Sequence, residues 1–245
     1  MDGLRRALGF LTVYPLRATD TWTPETLGSS MVYYPLVGLF IGIALWILSL
    51  MLNTLFPLPV ANVLLLGGLA MMTGGLHLDG LADTIDGLSG GYSREETLSI
   101  FKDPHVGTMA VVGVVLVLML QYASLNALPD DAMLPTLVLM STLSRFSMVQ
   151  LANFSSYARP SGGVGEPFIR GIKREHFITA MLLTIGIALL FSGVRGLMIW
   201  SLVVLATYGY LTYFRKRLHG ITGDVLGATN EINETLVLIL ATMVY

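Results

Sequence analysis

The stretch VANVLLLGGLAMMTGGLHLDGLADTIDGLSGG (Val60–Gly91) decides how the chain is read. Its first half, 60–76, is apolar and long enough to enter a bilayer. It runs straight into three aspartates, Asp79, Asp83 and Asp86, spaced i, i+4, i+7. At about 100° per residue the three fall within roughly 60° of one another on a helix. Small residues (Gly80, Ala82, Gly87) lie between them. Three carboxylates on one stripe repel one another unless a positive charge sits between them, and no run of lysines or arginines at helical spacing supplies it. The plain alternative is the solvated acidic face of a soluble helix, and the hydrophobic span directly before the stripe weighs against it. A hard cation such as Mg²⁺, itself holding a phosphate, suits such a stripe.

Composition points the same way. The 245 residues are 54% hydrophobic and 12% charged, against about 25% charged in soluble domains. The chain reads as an integral membrane protein, all-α, a single catalytic domain over 1–245. A net charge of −2 argues against a nucleic-acid partner, and the lack of cysteine excludes disulfides and thiolate metal sites. Any metal must be held by oxygen or imidazole.

Outward from the acidic stripe, apolar segments at 31–56, 60–76, 107–128, 133–152, 177–194 and 196–214 read as spans. A helix from about 223 to 245 would reach roughly 35 Å and could add a seventh. The expected architecture is therefore a polytopic bundle of about six or seven membrane helices. Residues 1–17, with Arg5, Arg6 and Arg17 around a short apolar centre, read as an amphipathic helix on the membrane surface rather than a signal peptide, because Tyr14-Pro15 interrupts the apolar core. Gly38 and Gly42 have the GxxxG spacing of close helix contact, or are simply small residues in an apolar helix. Of the 14 Lys and Arg residues, all but Arg145 and Arg195 fall in 1–30, 77–106, 153–176 and 215–234. That asymmetry puts those segments on the cytoplasmic side.

A second acidic constellation, Asp224, Glu231 and Glu234 in HGITGDVLGATNEINE, lies on the same side. So does the glycine-rich basic loop 153–176, with Arg159, Arg170 and Lys173, read both as a positive-inside loop and as a grip for an anion. Arg145 stands inside a span, where it pairs with an acid, binds a substrate phosphate or snorkels. The loop run Lys102-Asp103-Pro104-His105 offers further polar contacts to substrate. His77, two residues before Asp79, points away from the aspartate stripe on a regular helix, so it is assigned to substrate rather than to metal. The inventory matches phosphoryl transfer: carboxylates for metal, arginines for phosphate, and a spare aspartate as base. No Walker A, HExxH or GxSxG context is present.

TGGLHLDGLADTIDGL (Thr73–Leu88) closely resembles the signature of the cobalamin synthase (adenosylcobinamide-GDP ribazoletransferase) family, and GITGDVLGATNEINE (Gly220–Glu234) resembles that family's C-terminal motif. FLTVYP, YYPLVGLFIG, REETLSIFKDPHVGT, SRFSM and YARPSGGVG agree in order over nearly the whole chain. Asp103-Pro104-His105 departs from the family's Asp-Ser-Arg, and His219 replaces a common glycine. The resemblance implies a multi-pass enzyme of the bacterial inner membrane with its site facing the cytoplasm, working with Mg²⁺. It would join adenosylcobinamide-GDP to α-ribazole, or its 5′-phosphate, and release GMP. Asp79, Asp83 and Asp86 would bind Mg²⁺; Asp224, Glu231 and Glu234 would complete the metal site or hold the ribazole. Asp86 is the expected base, with Asp83 beside it. A homo-oligomer is among the expected assemblies. The rival readings are a membrane phosphotransferase acting on a CDP-activated alcohol, by analogy of chemistry, and an ion-coupled transporter.

Overall fold

A computed structural model describes residues 2–15 and 22–245. The described residues form helices joined by short loops, with one isolated parallel bridge between Tyr157 and Ile221. In order they are α1 (Asp2–Leu11), α2 (Pro24–Ser30), a 3₁₀ turn (Met31–Tyr33), α3 (Tyr34–Leu55), α4 (Leu58–Thr73), α5 (Leu76–Gly90), α6 (Arg94–Ile100), α7 (Thr108–Ala127), α8 (Asp130–Phe154), α9 (Glu166–Gly171), α10 (Arg174–Leu218) and α11 (Gly223–Val244). Arg17, assigned above to the N-terminal helix, lies outside the described residues.

The centre is α8. It carries Ser141, Thr142, Ser144, Arg145 and Ser147, all fully buried, and it packs on α3, α10 and α11. A helix this polar is unstable facing lipid, so its place inside the bundle follows from its composition. Gly38 and Gly42 of α3 meet its backbone: a Cβ at Gly42 would stand 2.6 Å from the Leu137 carbonyl oxygen, and one at Gly38 would overlap Ser141. The GxxxG spacing is thus a contact surface. By contrast α7 and α10 are mostly unburied in the most hydrophobic stretch of each. Long apolar helices exposed in this way mark a membrane protein.

Four elements are long and apolar enough to cross a membrane, or five if the bent pair α4–α5 counts as one. This is fewer than the six or seven expected, for three reasons. The expected spans 177–194 and 196–214 fall within the single element α10. Its 45 residues break at Gly193 (φ 53°, ψ −131°), and Phe177 near its start and Arg215 near its end both contact Phe154. The chain doubles back there. Second, α11 is too acidic over its first half to count. Third, the expected span 60–76 ends at Thr73, where Gly74 (φ 63°) and Gly75 (φ 68°) turn the chain by 93° into α5. Both glycines hold left-handed backbone that other residues rarely adopt.

The helix expected over 1–17 is shorter, α1 ending at Leu11 with 12–15 not helical, and it packs on protein: Ala7 and Leu11 are buried, and the Phe10 ring lies 4.2 Å from that of Phe168. The contact of α3 with α8 yields a prediction. Gly38→Leu forces a side chain into the Ser141–Thr142 backbone and lowers stability by about 1–3 kcal/mol, read as a lower unfolding temperature in detergent.

Candidate active site

The second half of the opening stretch folds as α5, and its two faces have different tasks. His77, Gly80, Thr84 and Gly87, at i, i+3, i+7, i+10, are buried. Asp79, Asp83 and Asp86 flank that inward stripe. Gly80 and Gly227 bring α5 and α11 into backbone contact: a Cβ at Gly80 would stand 2.8 Å from the Asp224 carbonyl oxygen and 3.2 Å from the Gly227 Cα. Any larger residue at 80 would push the helices apart. Because they touch here, Asp79 and Asp83 share a site with Asp224.

The cation facing them comes from the glycine-rich loop. Arg159 donates to Asp224 Oδ2 at 2.5 Å and to the Phe101 carbonyl at 3.3 Å, with its guanidinium 5.8 Å from the Phe101 ring centroid. The loop is tied to the segment before α11 by Ala158 N–H to Ile221 O (2.8 Å) and Ile221 N–H to Ser156 O (2.9 Å). Arg94 clamps both, donating to Leu218 O at 2.8 Å and Ala158 O at 2.7 Å. Thr222 caps α11 through Val225 N–H and also donates to Asp224 Oδ2 at 3.1 Å. Tyr157, on the same loop, has its phenol raised above its ordinary value by burial, against the lowering effect of Arg159. A cleft of about 190 Å³ between α5, α11 and this loop is lined by His77, Asp79, Val164 and Asp224 among others.

The six expected metal carboxylates do not converge. Among the described residues no three His, Asp or Glu side chains are grouped so as to hold a metal ion. Glu234 forms a fully buried ion pair with Arg145 and accepts from Asn230 Nδ2 at 3.1 Å. Glu231 is buried beside Glu234, Gln121 and Asn230. Both glutamates therefore belong to the bundle interior. They diverge from Asp224 because α11 runs inward between α5, α7 and α8, where carboxylates need partners. Of the alternatives for Arg145, the structure has the pairing with an acid. Asp86 is engaged as well: its two oxygens accept from Gly107 N–H (2.5 Å) and Ala110 N–H (2.8 Å) at the start of α7. A carboxylate there is favoured by the unpaired amides and the helix dipole.

The other candidates divide. His77 is turned away from the aspartates, with Nδ1 3.2 Å from Asn230 Nδ2. Lys102 donates to Ser161 at 2.7 Å, which brings it to the Arg159 loop. Asp103 and His105 pair with each other at 2.6 Å on the surface, and the His105 N–H and imidazole hold the Asp103 carboxyl below its ordinary value. Arg170 pairs with Glu166 at 2.7 Å within α9, and Lys173 is exposed at the start of α10; neither bonds to the acidic site. Sequence reasoning passed over Arg94 and Asn230. Asn230 stands one turn before Glu234, a spacing that places both side chains on one helix face; Arg94 gave no such signal.

A family model described as Cobalamin-5-phosphate synthase matches residues 3–242. Proteins named adenosylcobinamide-GDP ribazoletransferase are similar over nearly their whole length. That of Acetivibrio thermocellus is 36% identical over 98% of both chains. That of Syntrophobacter fumaroxidans is 38% identical over 98% of this chain and 97% of its own. That of Geotalea daltonii is 40% identical over 95% and 93%. No solved structure matches the chain.

The buried pair makes a stability prediction. Arg145→Met alone strands the Glu234 carboxylate and costs about 3–5 kcal/mol. Arg145→Met with Glu234→Leu removes both charges and recovers most of that loss. Thermal unfolding of the three proteins in one detergent measures the difference.

Proposed function

The chain belongs to the cobalamin-5-phosphate synthase family, transferases of cobalamin biosynthesis, and on that premise we propose that it joins adenosylcobinamide-GDP to α-ribazole, or to its 5′-phosphate, with release of GMP. The whole chain acts as one catalytic domain of the bacterial inner membrane, its site on the cytoplasmic side where the Lys and Arg residues gather. The observation that carries the reading is the meeting of Asp79, Asp83 and Asp224 opposite Arg159 at the α5–α11 contact.

This donor set fits Mg²⁺. Its donors are oxygens alone, and Asp83 has Asp79, Asp86 and Asp224 as acidic neighbours with Arg159 as the opposing cation. Glu234 does not fit, being engaged by Arg145 and Asn230. Asp79 and Asp224, which line one cleft, would hold the ion together with substrate phosphates, since Mg²⁺ is commonly bound by one or two carboxylates plus phosphate and water. When bound, it supplies charge neutralisation on the pyrophosphate.

In the reaction a ribazole hydroxyl attacks the phosphorus attached to cobinamide, the bond to the bridging oxygen breaks, and GMP leaves. Arg159, held beside Asp224 by the Arg94-clamped loop, stabilises charge on the departing phosphate. Lys102, reaching the same loop, adds a second cation. Asp83 takes the acceptor's proton, in place of Asp86, whose oxygens hold the α7 N-terminus. Geometry favours this exchange of roles: among the described residues Asp83 has no hydrogen-bond donor, and it lies between Asp79 and Asp86 on the stripe.

The decisive assay is GMP release by purified protein in liposomes given adenosylcobinamide-GDP and α-ribazole, with and without Mg²⁺. Metal-dependent release matched by cobalamin formation is expected; a CDP-activated alcohol used with a lipid acceptor instead would overturn the reading. Asp83→Asn and Asp224→Asn should each reduce turnover about 10²–10⁴-fold without loss of fold. Asp86→Ala should act on stability, by about 0.5–2 kcal/mol.

A further inference from the structure

We propose that the apolar cleft between α5 and the first two turns of α7 seats the aromatic base of the acceptor, and that its aliphatic walls select a benzimidazole over a polar nucleobase. The inference rests on the reaction proposed above and adds where one of its two substrates lies.

The cleft has a volume of about 630 Å³, within the roughly 300–1,000 Å³ of small-molecule sites. It opens at the Gly74–Gly75 break, where the 93° turn swings α5 away from α4. Leu78 and Ala82 of α5 form one wall; Val106, Val111, Val114 and Val115 form the other. Among the described residues, Asp79 is the one lining side chain that carries polar atoms. The occupant must therefore be apolar along its body and polar where it meets Asp79.

The chemistry of the two substrates separates them. Guanine has hydrogen-bonding groups around its edge, and the corrin periphery carries amides; against aliphatic walls these lose water and gain no partner. The base of α-ribazole is a flat dimethylbenzimidazole with a single acceptor, its imine nitrogen, and most of the polarity lies in the attached ribose. With the base between the helices, the ribose reaches Asp79, one turn from Asp83. An acyl chain from the bilayer matches the walls and has no counterpart for the carboxylate.

A second observation places the cleft relative to the chemistry. Asp79 also lines the smaller cleft that holds Asp224, beside Arg159. One carboxylate thus stands between an apolar chamber and a charged one. Acceptor on the first side and phosphoanhydride on the second would bring hydroxyl and phosphorus together at the stripe.

The test is equilibrium binding of α-ribazole to the full-length protein in nanodiscs, followed by benzimidazole fluorescence, alongside steady-state kinetics for both substrates. Ala82→Phe fills the cleft and should raise the Kd of α-ribazole about tenfold or more, with the KM of adenosylcobinamide-GDP within about twofold. Ala82→Val should act in the same direction by less, which guards against misfolding of the larger variant. Val114→Asn supplies a hydrogen-bonding group and should narrow the preference for α-ribazole over the α-riboside of adenine about tenfold. An unchanged Kd in Ala82→Phe, or equal losses for both substrates, would overturn the assignment and mark the cleft as a lipid-facing surface. Binding that is lost in Ala82→Phe, in a protein that releases no GMP, would instead remove the reaction and leave the seat.

Discussion

Everything at the site depends on two helix backbones touching. Gly80 of α5 lies against Asp224 and Gly227 of α11, and Gly227 in turn lies against His77. Two helices bearing carboxylates on adjoining faces would repel; close backbone approach holds them together and fixes where the acids stand. It also gives a task to Gly80 beside Asp79 and to Gly227 one turn after Asp224. The Arg94 clamp and the Ala158–Ile221 hydrogen bonds then bring Arg159 to the opening of that contact. The cation is positioned by the fold's loops rather than by its helices.

Below the contact a polar network runs through the bundle. His77, Asn230, Glu234 and Arg145 link α5, α11 and α8, and Ser144 Oγ accepts from the guanidinium at 3.0 Å. In a low-dielectric interior such groups hold one another strongly in register, because the alternative is an unpaired charge. The network makes α8 the interior helix and leaves the outer faces of α7 and of the two limbs of α10 unburied. A membrane bundle gains little from apolar contact alone, since lipid is as apolar as leucine; small residues and polar pairs supply specificity. Gly38 and Gly42 against α8 illustrate the first, Arg145 with Glu234 the second.

Several of these features were legible in the amino-acid order, for local reasons. Apolar runs specify helices in a membrane, because a backbone in lipid must satisfy its own hydrogen bonds. The small-residue spacing at 38 and 42 pointed to a helix contact that exists. The i, i+4, i+7 aspartates lie on one helix, and His77 points away from them, as 3.6-residue periodicity requires. The count of spans was less legible. Gly193 breaks α10 where the sequence separated 177–194 from 196–214, but the bend at Gly74–Gly75 was not legible, because hydropathy responds to composition and is blind to such a turn.

By itself the sequence determined the helical membrane class, the family signature and the inventory of acids and bases, because these follow from residue type and short-range periodicity. Only the tertiary structure decided where each acid stands and what surrounds it. Six carboxylates that look alike in two motifs separate once helices pack: Asp79 and Asp224 border the clefts, Asp83 has Asp79, Asp86 and Asp224 as acidic neighbours, Asp86 caps α7, and Glu231 and Glu234 are buried in the bundle, Glu234 against Arg145. A carboxylate's role is set by the charges, amide hydrogens and solvent around it, and those come from residues distant in the chain.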